Sequence, residues 1–340
     1  MLEIDGSMGE GGGQVLRTAV ALSAAMGVPV RIRNIRAKRG NPGLGMQHFT
    51  AVTAAAEISN AEVSGLRVGS TELTFKPGSI SCRNRSFDVG TAGSVSLVIQ
   101  TVLPILAAAG CESTIEIKGG TDVPMAPPID YMANIVIPNL RLMGIETSIR
   151  VRQRGHYPRG GGLVELSIHS SKPRGLSLGD SQLERIGGIS HATELPRHVA
   201  IRQANAASRA LTELGTRVDI GVEVSRGLGA GSGVVVWALF SDGHRMGGDS
   251  LGERGKPAEQ VGMEAARRLI EAVRSGAHFD PNMGDMLPTY AALSGEKSRY
   301  TVSQVTAHLV TNVEVVKLMG VDARLDLGRG MAEVIIWPHL

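Results

Sequence analysis

The period of apolar positions changes repeatedly along the chain, and those changes delimit its elements. Alternation at Leu2–Asp5 predicts a strand, followed by a helix over Gln14–Met26, a strand over Val28–Ile35, a helix over His48–Ser59, and strands at Ala61–Val68 and Glu72–Lys76. The same order recurs in Ser86–Val89, Ser94–Ala109, Ser113–Lys118, Pro128–Met143, Glu146–Arg152 and Leu163–His169. A third copy opens at Gly175–Gly179, breaks off, and resumes with Met283–Leu293, Arg299–Gln304, Asn312–Met319, Ala323–Leu327 and Ala332–Trp337. The repeat shows in the letters too: Leu142-Met-Gly-Ile-Glu-Thr-Ser-Ile-Arg-Val151 is echoed by Leu318-Met-Gly-Val-Asp-Ala-Arg-Leu-Asp-Leu327, and more weakly by Asn60–Val68. Gly144 and Gly320 suit the left-handed residue that ends a helix.

Between the two parts of the third copy lie residues 180–276, with helices at Ala200–Leu214 and Ala258–Arg274 and a strand pair around Val218–Val224 and Val234–Phe240. That length is enough for a small α/β domain of its own. The expected architecture is α+β: a body of three βαβαββ units, 1–179 and 277–340, with the domain 180–276 inserted into the third unit.

Composition narrows the function. Of 340 residues 42% are apolar and 20% charged, which excludes a disordered chain. Apolar runs such as Val95–Ala109 stop short of the roughly 20 residues a membrane span needs. The opening MLEIDGSMGEGGG has no basic region leading into an apolar one and is not a secretory signal. Two cysteines, Cys82 and Cys111, are too few for a disulfide framework or a Cys-based zinc site and point to a reducing cytoplasm. A net charge of +3 permits a polyanionic partner without requiring one. Aromatics are only 3%, which disfavours stacked-base recognition, whereas 44 glycines, about 13% against a typical ~7%, favour backbone and arginine contacts to phosphate.

Candidate chemistry gathers in a few segments. Gly9-Glu10-Gly-Gly-Gly13-Gln14 sits between the first strand and first helix, where backbone N–H groups can approach an anion. It lacks the Lys-Ser/Thr of a P-loop, and its spacing fails the dinucleotide fingerprint. A tight turn accounts for one or two of these glycines but not for three beside a carboxylate; on the functional reading Glu10 is a metal ligand. Arg36-Ala-Lys38-Arg39-Gly-Asn-Pro-Gly43-Leu-Gly-Met-Gln47-His48 places three cations in a loop able to wrap a phosphate, and Arg17 can converge on the same anion. Solvated surface is the bland alternative. His308, in Thr306-Ala-His308-Leu-Val-Thr311-Asn312, precedes the last apolar helix, with Thr311 or Asn312 placed to cap it. The helix dipole there favours the neutral, nucleophilic imidazole, although a lone histidine is more often structural. Gly160-Gly-Gly162, after Arg154-Gly-His-Tyr-Pro158, is another anion-friendly turn with the same two readings.

Taken together, over essentially the whole chain, these segments resemble the RNA 3′-terminal phosphate cyclase family. The resemblance rests on Arg154-Gly-His-Tyr-Pro158-Arg-Gly-Gly-Gly162-Leu-Val164, on Gly6-Ser-Met-Gly-Glu10-Gly-Gly-Gly-Gln14-Val-Leu-Arg17, on Gly119-Gly-Thr-Asp122-Val-Pro-Met-Ala-Pro127-Pro128, on Ser94–Pro104 with its Gln100, and on the segment containing His308. It implies ATP-dependent conversion of an RNA 3′-phosphate into a 2′,3′-cyclic phosphate, with AMP and pyrophosphate released. His308 would form a covalent histidyl-AMP, and the AMP would pass to the RNA end before the ribose 2′-OH displaces it. It further implies catalytic roles for Arg17 and Arg39, phosphate or RNA contacts by Arg36, Arg39 and Gln47, and a divalent cation, Mg²⁺ or Mn²⁺, on Glu10. ATP would be bound by Gln100, Pro127 and the stretch Asn282, Met283, Gly284, Asp285 and Met286. Asn282 and Met286 replace an aromatic and a glutamine common in the family, so base contacts are expected instead from Tyr131, Tyr290 or Phe279. Met46 replaces a basic residue seen in some members. For 180–276 the resemblance implies a thioredoxin-like fold, and for the whole a cytoplasmic enzyme acting on RNA with a 3′-phosphate end, with a homodimer left open.

Three rivals are weighed on sequence. A silent RNA-binding relative acting in ribosome assembly would lack the histidine that is present here. A small-molecule kinase is suggested by Gly227-Leu-Gly-Ala-Gly-Ser-Gly233, but that run leads into the strand-like Val234–Phe240 instead of a helix. A carboxyvinyl transferase built from similar units would not retain AMP on protein.

Overall fold

In the computed structural model, which describes residues 1–328 and 330–338, the chain is mixed α and β with several small sheets, an α+β arrangement. β1 (Leu2–Asp5), α1 (Gln14–Met26), β2 (Val30–Arg33), α2 (Met46–Ile58), β3 (Glu62–Ser64) and β4 (Leu73–Lys76) form a first layer pair, its sheet ordered β1-β2-β4-β3. Only β1 and β2 are parallel. α1 buries Val15–Ala24 nearly all round and ends at Gly27, whose φ of +72° lets its N–H reach the Ser23 carbonyl.

β5 (Arg85–Asp88), α3 (Val95–Ala108), β6 (Ser113–Gly119), α4 (Ile129–Tyr131), α5 (Ile137–Leu142), β7 (Thr147–Gln153) and β8 (Gly162–Ile168) follow, with sheet order β5-β6-β8-β7. The helix expected over Pro128–Met143 is interrupted: Met132–Val136 is a π-turn between α4 and α5. Pro138 has no N–H for the Asn134 carbonyl, and Arg245 Nη1 supplies the missing donor at 2.7 Å.

β9 (Leu183–Thr193), α6 (Arg197–Leu211), β10 (Arg217–Ser225), β11 (Gly231–Phe240), β12 (Arg245–Leu251) and α7 (Ala258–Arg274) build a four-stranded sheet, β10-β9-β11-β12, with α6 and α7 packed together. The strands expected to pair, β10 and β11, are each joined to β9 instead. Polar and glycine residues mask β9 (Gly187, Gly188, Ser190, His191) and β12 (Gly247, Gly248) in the sequence. The β12 glycines are needed for close packing: a Cβ on Gly248 would lie 2.3 Å from the Ala265 carbonyl oxygen, and one on Gly247 2.6 Å from the Tyr131 ring.

α8 (Pro281–Ala292), β13 (Ser298–Val302), α9 (Ala307–Leu318), β14 (Ala323–Leu327) and β15 (Ala332–Ile336) complete the described chain, with sheet order β13-β15-β14. The strand expected at Gly175–Gly179 does not form. Gly175 and Leu176 give their N–H groups to the Glu296 carboxylate and Ser298 Oγ, leaving a single bridge between Ser177 and Arg299. Gly144 and Gly320 end their helices with φ of +74° and +86°, as the repeat predicts, and Asn60 takes +44° at the equivalent place.

The main core joins α1, α2, α3, α8 and α9 to the inner faces of three sheets, through residues such as Val20, Leu103, Phe75, Ile117, Leu287 and Val313. A second cluster, including Leu211, Val234, Val236 and Leu269, fills the space between β11 and the α6–α7 pair. Cys82 and Cys111 are joined in a disulfide, because they directly precede β5 and β6, which run parallel side by side; their Cα atoms are 5.1 Å apart. The inference from cysteine number to a reducing compartment therefore fails. No described helix is long and apolar enough to cross a membrane.

Candidate active site

Two helix N-termini from opposite ends of the chain meet here. α1 begins after the glycine run, and α9 packs against it. The junction is polar: Gln14 Nε2 and Thr18 Oγ1 donate to Asn312 Oδ1 at 3.2 and 2.6 Å, and Asn312 Nδ2 donates to the Asp285 carbonyl at 2.6 Å. α9 starts earlier than expected. Thr306, not Thr311 or Asn312, caps it, accepting the Leu309 N–H at 2.9 Å, so His308 lies in the first turn.

His308 Nδ1 faces Glu10 Oε1 at 3.4 Å, and Arg39 Nη2 donates to that same oxygen at 2.8 Å. With Nδ1 turned to the carboxylate, Nε2 is the nitrogen left with its lone pair outward. Burial pulls the His308 pKa below its ordinary value; Glu10 opposes that shift, and Arg17 and Arg39 add to it. The imidazole is thus neutral at pH 7. Arg17 is 8% exposed, donates through Nη2 to the side-chain Oε1 of Gln14, and has its pKa lowered by burial to about 10, so it is still a cation at pH 7.

The glycines are there for space. A Cβ on Gly12 would lie 2.3 Å from Glu10 Oε1 and 2.7 Å from Arg39 Nη2; one on Gly13 would lie 2.2 Å from His48 Nε2; one on Gly9, at φ +55°, would meet Thr311 Oγ1 at 2.0 Å. Lys38 Nζ holds the turn by donating to the Gly9 carbonyl at 2.8 Å. His48, passed over in the sequence as the neighbour of Gln47, is 5% exposed beneath Arg17. Burial first, then Arg17 and Arg36, lower its pKa to about 3.

The other expected site residues divide. Arg36 spends Nη1 on the Gly43 carbonyl at 2.7 Å, which shapes the loop. Gln47 accepts the Ser94 N–H at 2.9 Å and so ties α2 to the start of α3. Gln100 and Met286 meet, Nε2 to Sδ at 3.5 Å, and line a small cavity with Gln14, Arg17, Thr18, Thr289 and Tyr290. The stretch 282–286 does not face one place. Met283 is in the core, and a Cβ on Gly284 would strike Val302 at 2.4 Å. Asn282 borders a separate cavity of about 350 Å³ with Asp249, Arg268 and Gln304. Asp285 accepts the Thr306 hydroxyl, and burial raises its pKa to about 7. Pro127 is half-buried in the turn between β6 and α4.

Two of the aromatics expected near a base are core residues. Tyr131 donates its hydroxyl to Asp280 at 2.6 Å, and Phe279 packs edge-on against Tyr300. Tyr290 alone reaches the cavity beside Gln100. The triplet Gly160–Gly162 serves close packing: a Cβ on Gly161 would lie 2.4 Å from Leu228 Cδ1 and one on Gly160 2.9 Å from the backbone of residues 91 and 92. The run Gly227–Gly233 leads into β11, as a phosphate loop would not.

The donor set fits a hard divalent cation. Glu10 Oε2 makes no hydrogen bond among the described residues, and one carboxylate plus substrate phosphates and water is how magnesium is ordinarily held.

The sequence model of a family described as RNA 3′-terminal phosphate cyclase matches residues 8–325. Among curated proteins of that name, one from Caldivirga maquilingensis is 53% identical over 328 residues, covering 94% of this chain and 92% of the relative. One from Pyrobaculum aerophilum is 51% identical over 321 residues, covering 93% and 92%. One from Archaeoglobus fulgidus is 50% identical over 316 residues, covering 93% and 94%.

Proposed function

This chain belongs to the RNA 3′-terminal phosphate cyclase family, and from that membership we propose that it uses ATP to turn an RNA 3′-terminal phosphate into a 2′,3′-cyclic phosphodiester. The observation that carries the reading is His308, neutral and 3.4 Å from Glu10, between Arg39 and the buried Arg17.

His308 Nε2 attacks the α-phosphorus of ATP; the N–P bond forms as the bond to the bridging oxygen breaks and pyrophosphate leaves. Because the imidazole is already unprotonated, no proton has to depart first. Arg17 and Arg39 take up the charge that gathers on the phosphoryl oxygens, in fixed positions prepared before substrate arrives. Glu10 would hold the divalent cation, which when bound supplies charge neutralisation to the phosphates. An oxygen of the RNA 3′-phosphate then attacks the phosphorus of histidyl-AMP, returning the electron pair to Nε2. The adjacent ribose 2′-OH next attacks the RNA-side phosphorus, its proton passes to solvent, and AMP leaves. The ribose itself holds that hydroxyl at attacking distance, so the protein has only to position phosphates. Gln100, Tyr290 and Met286 are the best-placed groups for the nucleotide.

Within the same reading, 1–179 and 277–340 form a body of three βαβαββ units and 180–276 an inserted domain, thioredoxin-like by resemblance. The matching orders β1-β2-β4-β3 and β5-β6-β8-β7 and the separate second core support it. First proteolytic nicks inside a body sheet, and not near residues 179 and 276, would count against those boundaries.

Incubation with α-labelled ATP and Mg²⁺, without RNA, is the test of function. The expected product is a protein–AMP adduct that is acid-labile and alkali-stable, and absent in His308→Ala. Adduct persisting undiminished in that variant would remove His308 from the nucleophile's role. With RNA added, ends of unrelated sequence bearing a 3′-phosphate should cyclise and 3′-hydroxyl ends should not; no AMP transfer to any 3′-phosphate end would return the chain to the RNA-binding alternative.

A further inference from the structure

A second constellation of titratable groups lies away from His308, where the segment 154–162 meets β9 and β10. Its centre is Arg154, whose side chain is 2% exposed. The guanidinium reaches Asp122 Oδ2 at 3.3 Å, Asp130 Oδ2 at 2.8 Å and Glu223 Oε1 at 2.7 Å. Asp122 Oδ2 also accepts the Thr121 hydroxyl at 2.7 Å.

Among the described residues, Asp122 Oδ1 and both ring nitrogens of His191 make no hydrogen bond, and Asp130 Oδ2 has none beyond its ion pair with Arg154, though all these side chains are buried. His191 Nδ1 lies 3.7 Å from Asp130 Oδ2, and Nε2 lies 3.9 Å from Asp122 Oδ1. His156 completes the group. It is buried, its ring centroid is 5.4 Å from that of His191, and its Nε2 is 3.1 Å from the Thr193 hydroxyl. Donor atoms of Asp122, His156 and His191 all lie within 4.8 Å of one another.

An unpaired buried acceptor is rare in a folded protein and calls for a partner. In the tautomer that carries its proton on Nδ1, the nitrogen nearer Asp130, His191 Nε2 presents a lone pair, and the Asp122 carboxylate oxygen opposite presents another. Neither can donate, so the pair is satisfied by a positive centre between them. An ion bonded to each at about 2.0–2.2 Å spans that gap. Charge leads to the same place: three carboxylates, Asp122, Asp130 and Glu223, surround a single guanidinium, which leaves two negative charges for a divalent cation to offset.

The surroundings are shaped for ligation. Asp130 Oδ2, 3.7 Å from Nδ1 and not hydrogen-bonded to it, stands where a carboxylate would orient His191 once the ring is ligated. Gly231 and Gly233 of β11 make room for the rings: a Cβ would lie 2.2 Å from His156 Cγ at the first and 2.9 Å from His191 Cε1 at the second. Two imidazoles and one carboxylate suit a transition ion better than magnesium or calcium. We propose that Asp122, His156 and His191 form a closed structural site for a divalent ion of the zinc class, clasping β9 to the Thr121–Asp122 turn and the glycine-rich segment 154–162.

The site is tested without ATP or RNA, so its failure and that of the cyclase reading are separable. The chain carrying Glu10→Gln, which removes the other carboxylate candidate, is refolded with Zn²⁺, dialysed against EDTA and assayed for zinc by mass spectrometry. One equivalent is expected in this chain and in wild type, together with a higher unfolding midpoint than after refolding with EDTA. Co²⁺ in place of Zn²⁺ should give the visible bands of a low-coordinate, nitrogen-ligated ion. Asp122→Asn should lose the bound zinc, and Asp130→Asn should weaken binding by about 10–100-fold. Wild-type chain that unfolds cooperatively yet holds less than a tenth of an equivalent, with a midpoint indifferent to Zn²⁺, would overturn the proposal and leave the gap to water. Equal zinc in a folded Asp122→Asn variant would overturn it as well.

Discussion

Arg17 and Arg39 differ in how their charge is held, and that difference is testable. Arg39 is paired with Glu10 at 2.8 Å, whereas Arg17 is buried against Gln14 and its Nε has no partner among the described residues. A hydrogen bond to a charged group is worth about 1.5–3 kcal/mol, so Arg17→Ala or Arg39→Ala should slow adenylate formation by roughly tenfold to a hundredfold. Wild-type single-turnover rates in both would mean that the cluster is ordinary surface. His48 makes a different prediction. Its folded pKa of about 3 lies below the ordinary 6.5, so its contribution is fully present above pH 6.5 and is lost as the pH falls toward 3. Between pH 7 and 5 wild type should lose about 2 kcal/mol more in urea unfolding than His48→Gln does. Asp285, raised to about 7, acts in the opposite sense: its contribution is present below the ordinary aspartate range and lost as the pH rises through 7, so the comparison with the His48 variant is what isolates the histidine. Identical pH slopes in the two proteins would show that His48 titrates freely.

On the proposed function, the turn before α1 is where spacing should affect activity more than the fold. A Cβ on Gly12 meets only the far ends of two flexible side chains, Glu10 and Arg39, and the backbone there needs no left-handed angle. Gly12→Ala should therefore keep the unfolding midpoint within a few degrees while reducing adenylation at least tenfold; a large drop in the midpoint with activity per folded molecule intact would refute this. Elements of this kind were legible in the sequence to unequal degrees. α1 and α7 stand where the apolar period puts them, and the Leu-Met-Gly echo locates two helix ends, because one glycine conformation terminates both. β9 and β12 were hidden, since close packing puts glycine in both and glycine carries little β-propensity: Gly187 and Gly188 make room for side chains of neighbouring strands, Trp237, Ile220 and Val236, and Gly247 and Gly248 for Tyr131 and for the Ala265 carbonyl of α7. Among the candidate residues, His308, Glu10, Arg17 and Arg39 lie together. The stretch 282–286 does not act as one unit, because on a helix consecutive residues point in different directions: Met283 to the core, Asn282 to one cavity and Met286 to another. His48 carried no sequence signal beyond its place beside Gln47.

For the whole molecule, the cross-link between Cys82 and Cys111 closes a loop of 29 residues, and in the chain-entropy account this restricts the unfolded state by about 3–4 kcal/mol. Reduction should lower stability by that order while leaving adenylation at moderate temperature unchanged, since neither cysteine, one before β5 and one before β6, is among the groups in contact around His308. A midpoint insensitive to reductant would show that the bond contributes nothing to stability. The junction of α1 with α9 has a consequence in time as well as space. Gln14 and Asn312, which bond directly, are 298 positions apart. On a ribosome adding about 5–20 residues per second, the glycine turn with its arginines waits roughly 15–60 s for the helix that brings the nucleophile. On the proposed mechanism, a nascent chain that has not yet made His308 can attract a triphosphate but cannot trap it covalently. On that mechanism, commitment of ATP waits for the later segment by nothing more than the order in which the two segments are made.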